Sequence, residues 1–182
     1  RYKFSITDMK ELSKHIMEDI DPDFSAKIIP GKSIIVAGKN FGMGSSREQA
    51  PLVIKESGIL AVVAKTFARI FYRNSFNIGL PLIEANTDKI AEGDLLDIDL
   101  DMGVVKNLNK NTQIRTKPLP GFMQDMLREG GLVNYIKKHG KLKISEATTQ
   151  RASTRLYMNS RCAACAASEA KLSGRTYPSL RK

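Results

Sequence analysis

The sequence predicts an α/β fold in one domain, followed by a basic tail, and three observations carry that prediction. Three short β-branched or apolar runs, at 33–37, 60–64 and 81–84, alternate with stretches of helical periodicity, the pattern of strands buried between covering layers. A length of 182 residues suits one core, or one core with an appendage. After Leu142 the composition turns to Ser, Thr, Ala and Arg with little apolar periodicity, so residues 143–182 read as a low-structure tail behind a domain spanning 1–142.

The elements follow in order. Asp8 with Glu11 has capping-box spacing, and Met9, Leu12, Ile16, Met17 and Ile20 recur at helical intervals, which predicts a helix over about 8–19 ended by Asp21-Pro22. Pro30-Gly31 turns the chain into the first strand, Ser33 to Ala37. A glycine-rich loop, Gly38 to Gly44, leads through Ser45-Ser46-Arg47-Glu48 into a helix stopped at Gly58. Leu60 to Ala64 is the second strand, Phe67 to Phe71 begins a short helix, Asn74 to Gly79 is a loop, and Pro81 to Glu84 is the third strand. Strands at about 95–99 and 103–107 flank Asp101-Met102-Gly103, and 113–117 offers another. Residues 121–138 are helical with a break at Gly130-Gly131. The chain opens at Arg1 without Met, and Tyr2 to Thr7 alternate like a strand already under way, which reads as an incomplete amino terminus.

Composition excludes several function classes. Hydrophobic residues make up 42% and charged residues 26%, ordinary globular values. No apolar run is long enough for a membrane helix and no secretory signal opens the chain, so the expectation is a soluble, cytoplasmic protein. Its only cysteines, Cys162 and Cys165, and only histidines, His15 and His139, leave residues 1–161 unable to hold an iron–sulfur cluster or a structural zinc by themselves. A disulfide scaffold is excluded as well. The formal charge of +10 suggests a polyanionic partner, but residues 1–144 and 145–182 contribute a net +5 each, so half of that signal lies in the tail.

Chemistry concentrates in Gly38-Lys39-Asn40-Phe41-Gly42-Met43-Gly44-Ser45-Ser46-Arg47-Glu48-Gln49-Ala50. Glycines between a strand and a helix start aim unsatisfied backbone N–H groups outward, with the helix dipole behind them, and such a place attracts an anion. Phosphate motifs fail here: there is no Walker Gly-Lys-Ser/Thr, Arg47 replaces the third glycine of a dinucleotide fingerprint, and a Gly-x-Ser-x-Gly elbow lacks its last glycine. A hydroxyl pair beside a guanidinium suits a carboxylate, and the same field eases formation of an alkoxide on Ser45. The plainer alternative is that Ser45 or Ser46 caps the helix and Arg47 pairs with Glu48 or solvent.

Gly42-Met43-Gly44-Ser45-Ser46-Arg47-Glu48-Gln49-Ala50, then Ala64-Lys65-Thr66-Phe67-Ala68-Arg69-Ile70-Phe71, then Tyr72-Arg73-Asn74 with Asn77-Ile78-Gly79-Leu80-Pro81, resemble the small subunit of 3-isopropylmalate dehydratase, counterpart of the swivelling domain of aconitase. The resemblance covers residues 1 to about 142. It implies an aconitase-like swivelling β/β/α domain that caps a large subunit holding a 4Fe-4S cluster, with no cofactor bound by this chain. It implies Ser45 as the base that takes a carbon-bound proton, and Ser46 and Arg47 as ligands of a substrate carboxylate. Gly42, Gly44, Asn40, Arg73 and Asn74 would organise the site. Near the start, Phe4 stands where relatives acting on tricarboxylates place an arginine. An apolar ring there suits an isopropyl group. Lys3 beside it offers a carboxylate partner instead, and Phe4 reads equally well as strand core.

The expected function is therefore one half of a hydro-lyase that interconverts 2- and 3-isopropylmalate in leucine biosynthesis, with a small hydroxy-dicarboxylate substrate and no membrane partner. Related dehydratases acting on homoaconitate, citraconate-type or dimethylmalate substrates remain alternatives. A nucleic-acid-binding module, drawn from the charge and from Arg69 and Arg73 flanking Phe71 and Tyr72, is disfavoured. Tyr72, Asn74 and Asn77 are expected to organise a loop. Met9, Met17, Met123 and Met126 are expected in core or interface, and His15, His139 and the cysteine pair carry no assigned chemistry.

Overall fold

The computed structural model describes residues 8–44, 48–141 and 155–159. In chain order the elements are α1 (Met9–Ser13), α2 (Phe24–Lys27), β1 (Ile35–Ala37), α3 (Gln49–Glu56), β2 (Val62–Ala64), α4 (Arg69–Ile78), β3 (Leu82–Glu84), β4 (Leu95–Asp99), β5 (Val104–Asn107), β6 (Thr112–Arg115), α5 (Gly121–Arg128), α6 (Leu132–His139) and β7 (Arg155–Asn159).

Two sheets form. β1, β2 and β3 are parallel in that order, with Ile35, Val62 and Leu82 in register and Ala37, Ala64 and Glu84 at the carboxyl ends. The second sheet is antiparallel, in the order β6-β5-β4-β7. Strand alternation divides the parallel sheet's side chains between two cores. Ile35, Ala37, Val62, Ala64 and Leu82 join Phe24, Ile54, Phe67, Phe71 and Phe76 on the helical side. Ile34, Val36, Ala61, Val63 and Ile83 join Leu96, Ile98, Leu100 and Val105 of the antiparallel sheet on the other. The parallel sheet is thus the middle of three layers, β/β/α as the resemblance implied, and its burial on both faces explains its unbroken apolar strands.

Several expectations are corrected. The first helix ends at Ser13; Asp8 caps its start through the amide of Lys10, while Glu11 pairs with Lys14 at 2.6 Å. The chain then runs in turns and takes a left-handed conformation at Met17 (φ 56°). Of residues 74–79, read as a loop, 74–78 are the second half of α4 and Gly79 is its cap. That helix presents Phe71, Asn74, Ser75 and Phe76 to the interior and ends at Gly79 in the left-handed region, φ 77°. Tyr72, Asn74 and Asn77 therefore lie in a helix and organise no loop. α2 was not foreseen, since four residues are too few for a periodic signal.

Strand β7 falls within the segment read as a low-structure tail, pairing antiparallel with β4 from Leu95↔Asn159 to Asp99↔Arg155. The break at Gly130-Gly131 separates α5 from α6 as expected. That junction packs backbone to backbone on the end of α4: a Cβ on Gly79 would lie 2.7 Å from the nitrogen of Gly131. Lys55 of α3 closes the same corner, donating to the carbonyls of Ile78 and, at 3.3 Å, Gly130, where helix ends leave acceptors unpaired. No described helix is long and apolar enough to cross a membrane.

Candidate active site

The carboxyl ends of a parallel sheet are where an open α/β layer leaves room for ligands. Here the loops after β1 and β2 leave that edge together and stay paired. Lys65 donates its amide to Gly38 O at 3.0 Å, Phe41 donates to Thr66 O at 3.0 Å, and Ala68 donates to Phe41 O at 2.9 Å, with Phe41 and Phe67 bridged in parallel register. The glycine loop is in this way an extension of the sheet.

Its turn is built from side chains of unequal size. Asn40 sits in the left-handed region, φ 55°, tolerable for Asn and costly for most residues. Its amide donates to Thr66 Oγ1 at 2.8 Å, and the same hydroxyl donates to Asn40 Oδ1 at 3.4 Å. The amide of Met43 then closes onto Asn40 O at 3.2 Å. Between them Gly42, φ 84°, leaves space that the buried ring of Phe71 fills. Phe41 meets that ring edge-on at 5.3 Å between centroids, and Phe67 stacks on it at 6.4 Å. Gly44 stands in open space with no steric demand for glycine, and Met43 is 63% exposed.

From Gly44 the chain passes through Ser45, Ser46 and Arg47, which lie outside the described residues, as do Lys3 and Phe4. It re-enters at Glu48, which occupies the cap position of α3 with helical dihedral angles and no side-chain capping bond. The plain reading of Ser45 or Ser46 as the helix cap falls on residues outside those described. Arg73 is exposed on α4, whereas its neighbour Asn74 is 5% exposed. The two predicted site organisers thus lie in different environments on one helix.

An ion pair lies at this edge. Lys65 bridges to Asp88 at 2.5 Å, and Thr87 ties back to the end of β1 through Ala37 O at 3.0 Å. Burial, helped by the charge of Glu84, raises the phenol of Tyr72 above its ordinary value, so it stays protonated at neutral pH. Among the described residues no group of three His, Cys, Asp or Glu side chains could hold a metal ion. Sequence reading assigned no role to Thr66, Lys65, Phe71 or Lys55. The first three lie in or beside the second motif of the resemblance, whose pattern was visible while its contacts were not.

Comparison with known proteins agrees with this architecture. The aconitase C-terminal domain model matches residues 6–88. The chain is 58% identical over 144 residues to 3-isopropylmalate dehydratase small subunit 2 of Archaeoglobus fulgidus, covering 79% of this chain and 87% of that protein. It is 52% identical over 141 residues to small subunit 1 of Thermotoga maritima, covering 77% and 84%. The crystal structure of 3-isopropylmalate dehydratase from Methanocaldococcus jannaschii superposes with a TM-score of 0.70 at 51% identity, covering 75% of this chain and 81% of that one. With the three-layer fold, the glycine loop on its sheet edge and this identity over most of both chains, the protein belongs to the family of 3-isopropylmalate dehydratase small subunits.

Proposed function

We propose that this chain is the small subunit of a hydro-lyase that interconverts 2- and 3-isopropylmalate in leucine biosynthesis, working in the cytoplasm with a large iron–sulfur subunit. The observation that carries the reading is the 58% identity over 144 residues to a protein of that name. The anchored glycine loop, which delivers Ser45-Ser46-Arg47 to the start of α3, supports it. A 4Fe-4S cluster is held by about four thiolates, or about three where one iron is left open to a substrate. With two cysteines this chain cannot supply either set, so the cluster belongs to the partner and would activate the departing hydroxyl there.

The chain's own contribution is binding and proton transfer. Arg47 engages a substrate carboxylate with two parallel N–H bonds, and Ser46 takes a further lone pair. Ser45, as alkoxide beside that guanidinium and the start of α3, accepts the proton from the carbon next to the one bearing the hydroxyl. Proton and hydroxide leave neighbouring carbons and a double bond forms; water then re-adds with the opposite orientation, moving the hydroxyl by one carbon. Phe4 serves the isopropyl group, with Lys3 available to a carboxylate. Asn40 and Gly42 shape the turn of the loop, and Gly44, Arg73 and Asn74 are assigned to the surroundings of the site. Residues 1–142 carry the catalytic groups, and from the basic segment 143–182 strand β7 completes the antiparallel sheet beside β4.

Co-expression with the large subunit and an absorbance assay for the unsaturated intermediate test the proposal, using isopropylmalate, citramalate-type and homocitrate-type substrates. Isopropylmalate should turn over and Ser45→Ala should abolish turnover with assembly intact. Near-normal activity of Ser45→Ala removes Ser45 as the base. No turnover of any substrate over an intact cluster removes the enzyme reading.

A further inference from the structure

We infer that Thr66 is a positioning residue for catalysis, its hydroxyl locking the left-handed turn at Asn40 that sets where the loop delivers Ser45. The inference rests on the function proposed above. The observations converge on one oxygen. Thr66 Oγ1 accepts the Asn40 amide at 2.8 Å and donates back to Asn40 Oδ1 at 3.4 Å, across 26 residues of sequence. The φ of 55° at Asn40 is a conformation that Asn tolerates better than most residues, and the paired bonds to Thr66 favour it over the extended alternatives.

The rest of the turn is held by other means. Phe41 is fixed by two backbone bonds to the second loop, at Thr66 O and from the Ala68 amide, and Gly42 is wedged by Phe71. At Asn40 the backbone supplies only the local closure from the Met43 amide, and the tie to the second loop is the Thr66 hydroxyl. Four residues separate Asn40 from Ser45, so the turn at Asn40 sets the direction in which the chain sets out toward the reacting hydroxyl. Thr66 itself is exposed, so its contribution to the core is small. Loss of its hydroxyl should therefore misplace the loop while leaving the fold in place.

The test is Thr66→Val against Thr66→Ser in the assembled two-subunit enzyme, with Ser45→Ala as control. Valine keeps shape and removes the hydroxyl, whereas serine keeps the hydroxyl. Thr66→Val should lower kcat for isopropylmalate about 10- to 100-fold, the scale of a misplaced catalytic group. KM and the melting temperature should stay near wild type, and Thr66→Ser should recover kcat to within about threefold. Hydrogen exchange of the peptide spanning residues 38–44 should quicken in Thr66→Val and return in Thr66→Ser. Equal kcat for Val and Ser, or unchanged exchange of that peptide, overturns the positioning role. If Thr66→Val fails to assemble, Thr66→Ala against Thr66→Ser makes the same comparison, and equal kcat there overturns it too. An active Ser45→Ala control would instead sink the underlying assignment of the base.

Discussion

Gly42 and Phe71 occupy one another's space: a Cβ on Gly42 would lie 2.7 Å from Cδ2 of Phe71 and closer still to its Cβ and Cγ. The ring is 1% exposed and bound on its other sides by Phe41 and Phe67, so it has nowhere to go. Gly42→Ala combines that overlap with a left-handed φ of 84° and should cost about 2–4 kcal/mol. Thermal unfolding should show a drop of several degrees, and the assembled enzyme should lose activity more than stability. An unchanged melting temperature would mean that the loop accommodates a side chain here.

Lys55 secures the opposite end of α4. Replacing it with Met keeps most of the buried stem and removes the ammonium, leaving the carbonyls of Ile78 and Gly130 without this donor. A loss of about 1–3 kcal/mol in urea unfolding is expected, with little effect on substrate affinity because this corner is the far end of the helix from the glycine loop. A KM change without a stability change would contradict that separation.

Asp94 makes stability depend on acid. Burial pushes its carboxyl up, but Lys110 at 2.8 Å, the amide of Ala91 at 2.7 Å and the side chain of Asn107 at 2.6 Å outweigh it and hold the value below the ordinary 3.8. A depressed folded value means that the stabilisation is fully present above the unfolded value and is lost as pH falls through the folded one. The urea midpoint should therefore fall between pH 5 and pH 3. Asp94→Asn should lower the midpoint at pH 7 and flatten this slope; an equally steep slope would assign the acid sensitivity to other carboxylates.

Arg47→Lys tests the carboxylate ligand of the proposed reaction. A lysine keeps the charge and loses the two-pronged geometry, so KM should rise about tenfold or more with a smaller change in kcat. A fall in kcat alone would place Arg47 in the chemical step.

Much of the middle layer was legible because its signals are local. Apolar runs at 33–37, 60–64 and 81–84 can satisfy their side chains only when covered on both faces, and each contains a strand of the parallel sheet. The glycine loop could be picked out because glycines between a strand and a helix mark a special backbone, and Asn40 and Gly42 do adopt it. Asn74 was misread as loop because Asn and Ser disfavour helix interiors. Burying Phe71 and Phe76 overrides that preference, and Ser75 returns its hydroxyl to Phe71 O at 2.8 Å.

The sequence alone marks the three strands of the parallel sheet, the motifs of the family resemblance and the place of the glycine loop, since all three rest on residues close together along the chain. Tertiary structure decided what holds that place. Thr66 reaches Asn40, Phe71 makes glycine obligatory at 42, and β7 pairs with β4 from a segment with no strong strand signal. These contacts join residues far apart in sequence, and no periodicity or spacing records a partner that only folding brings near.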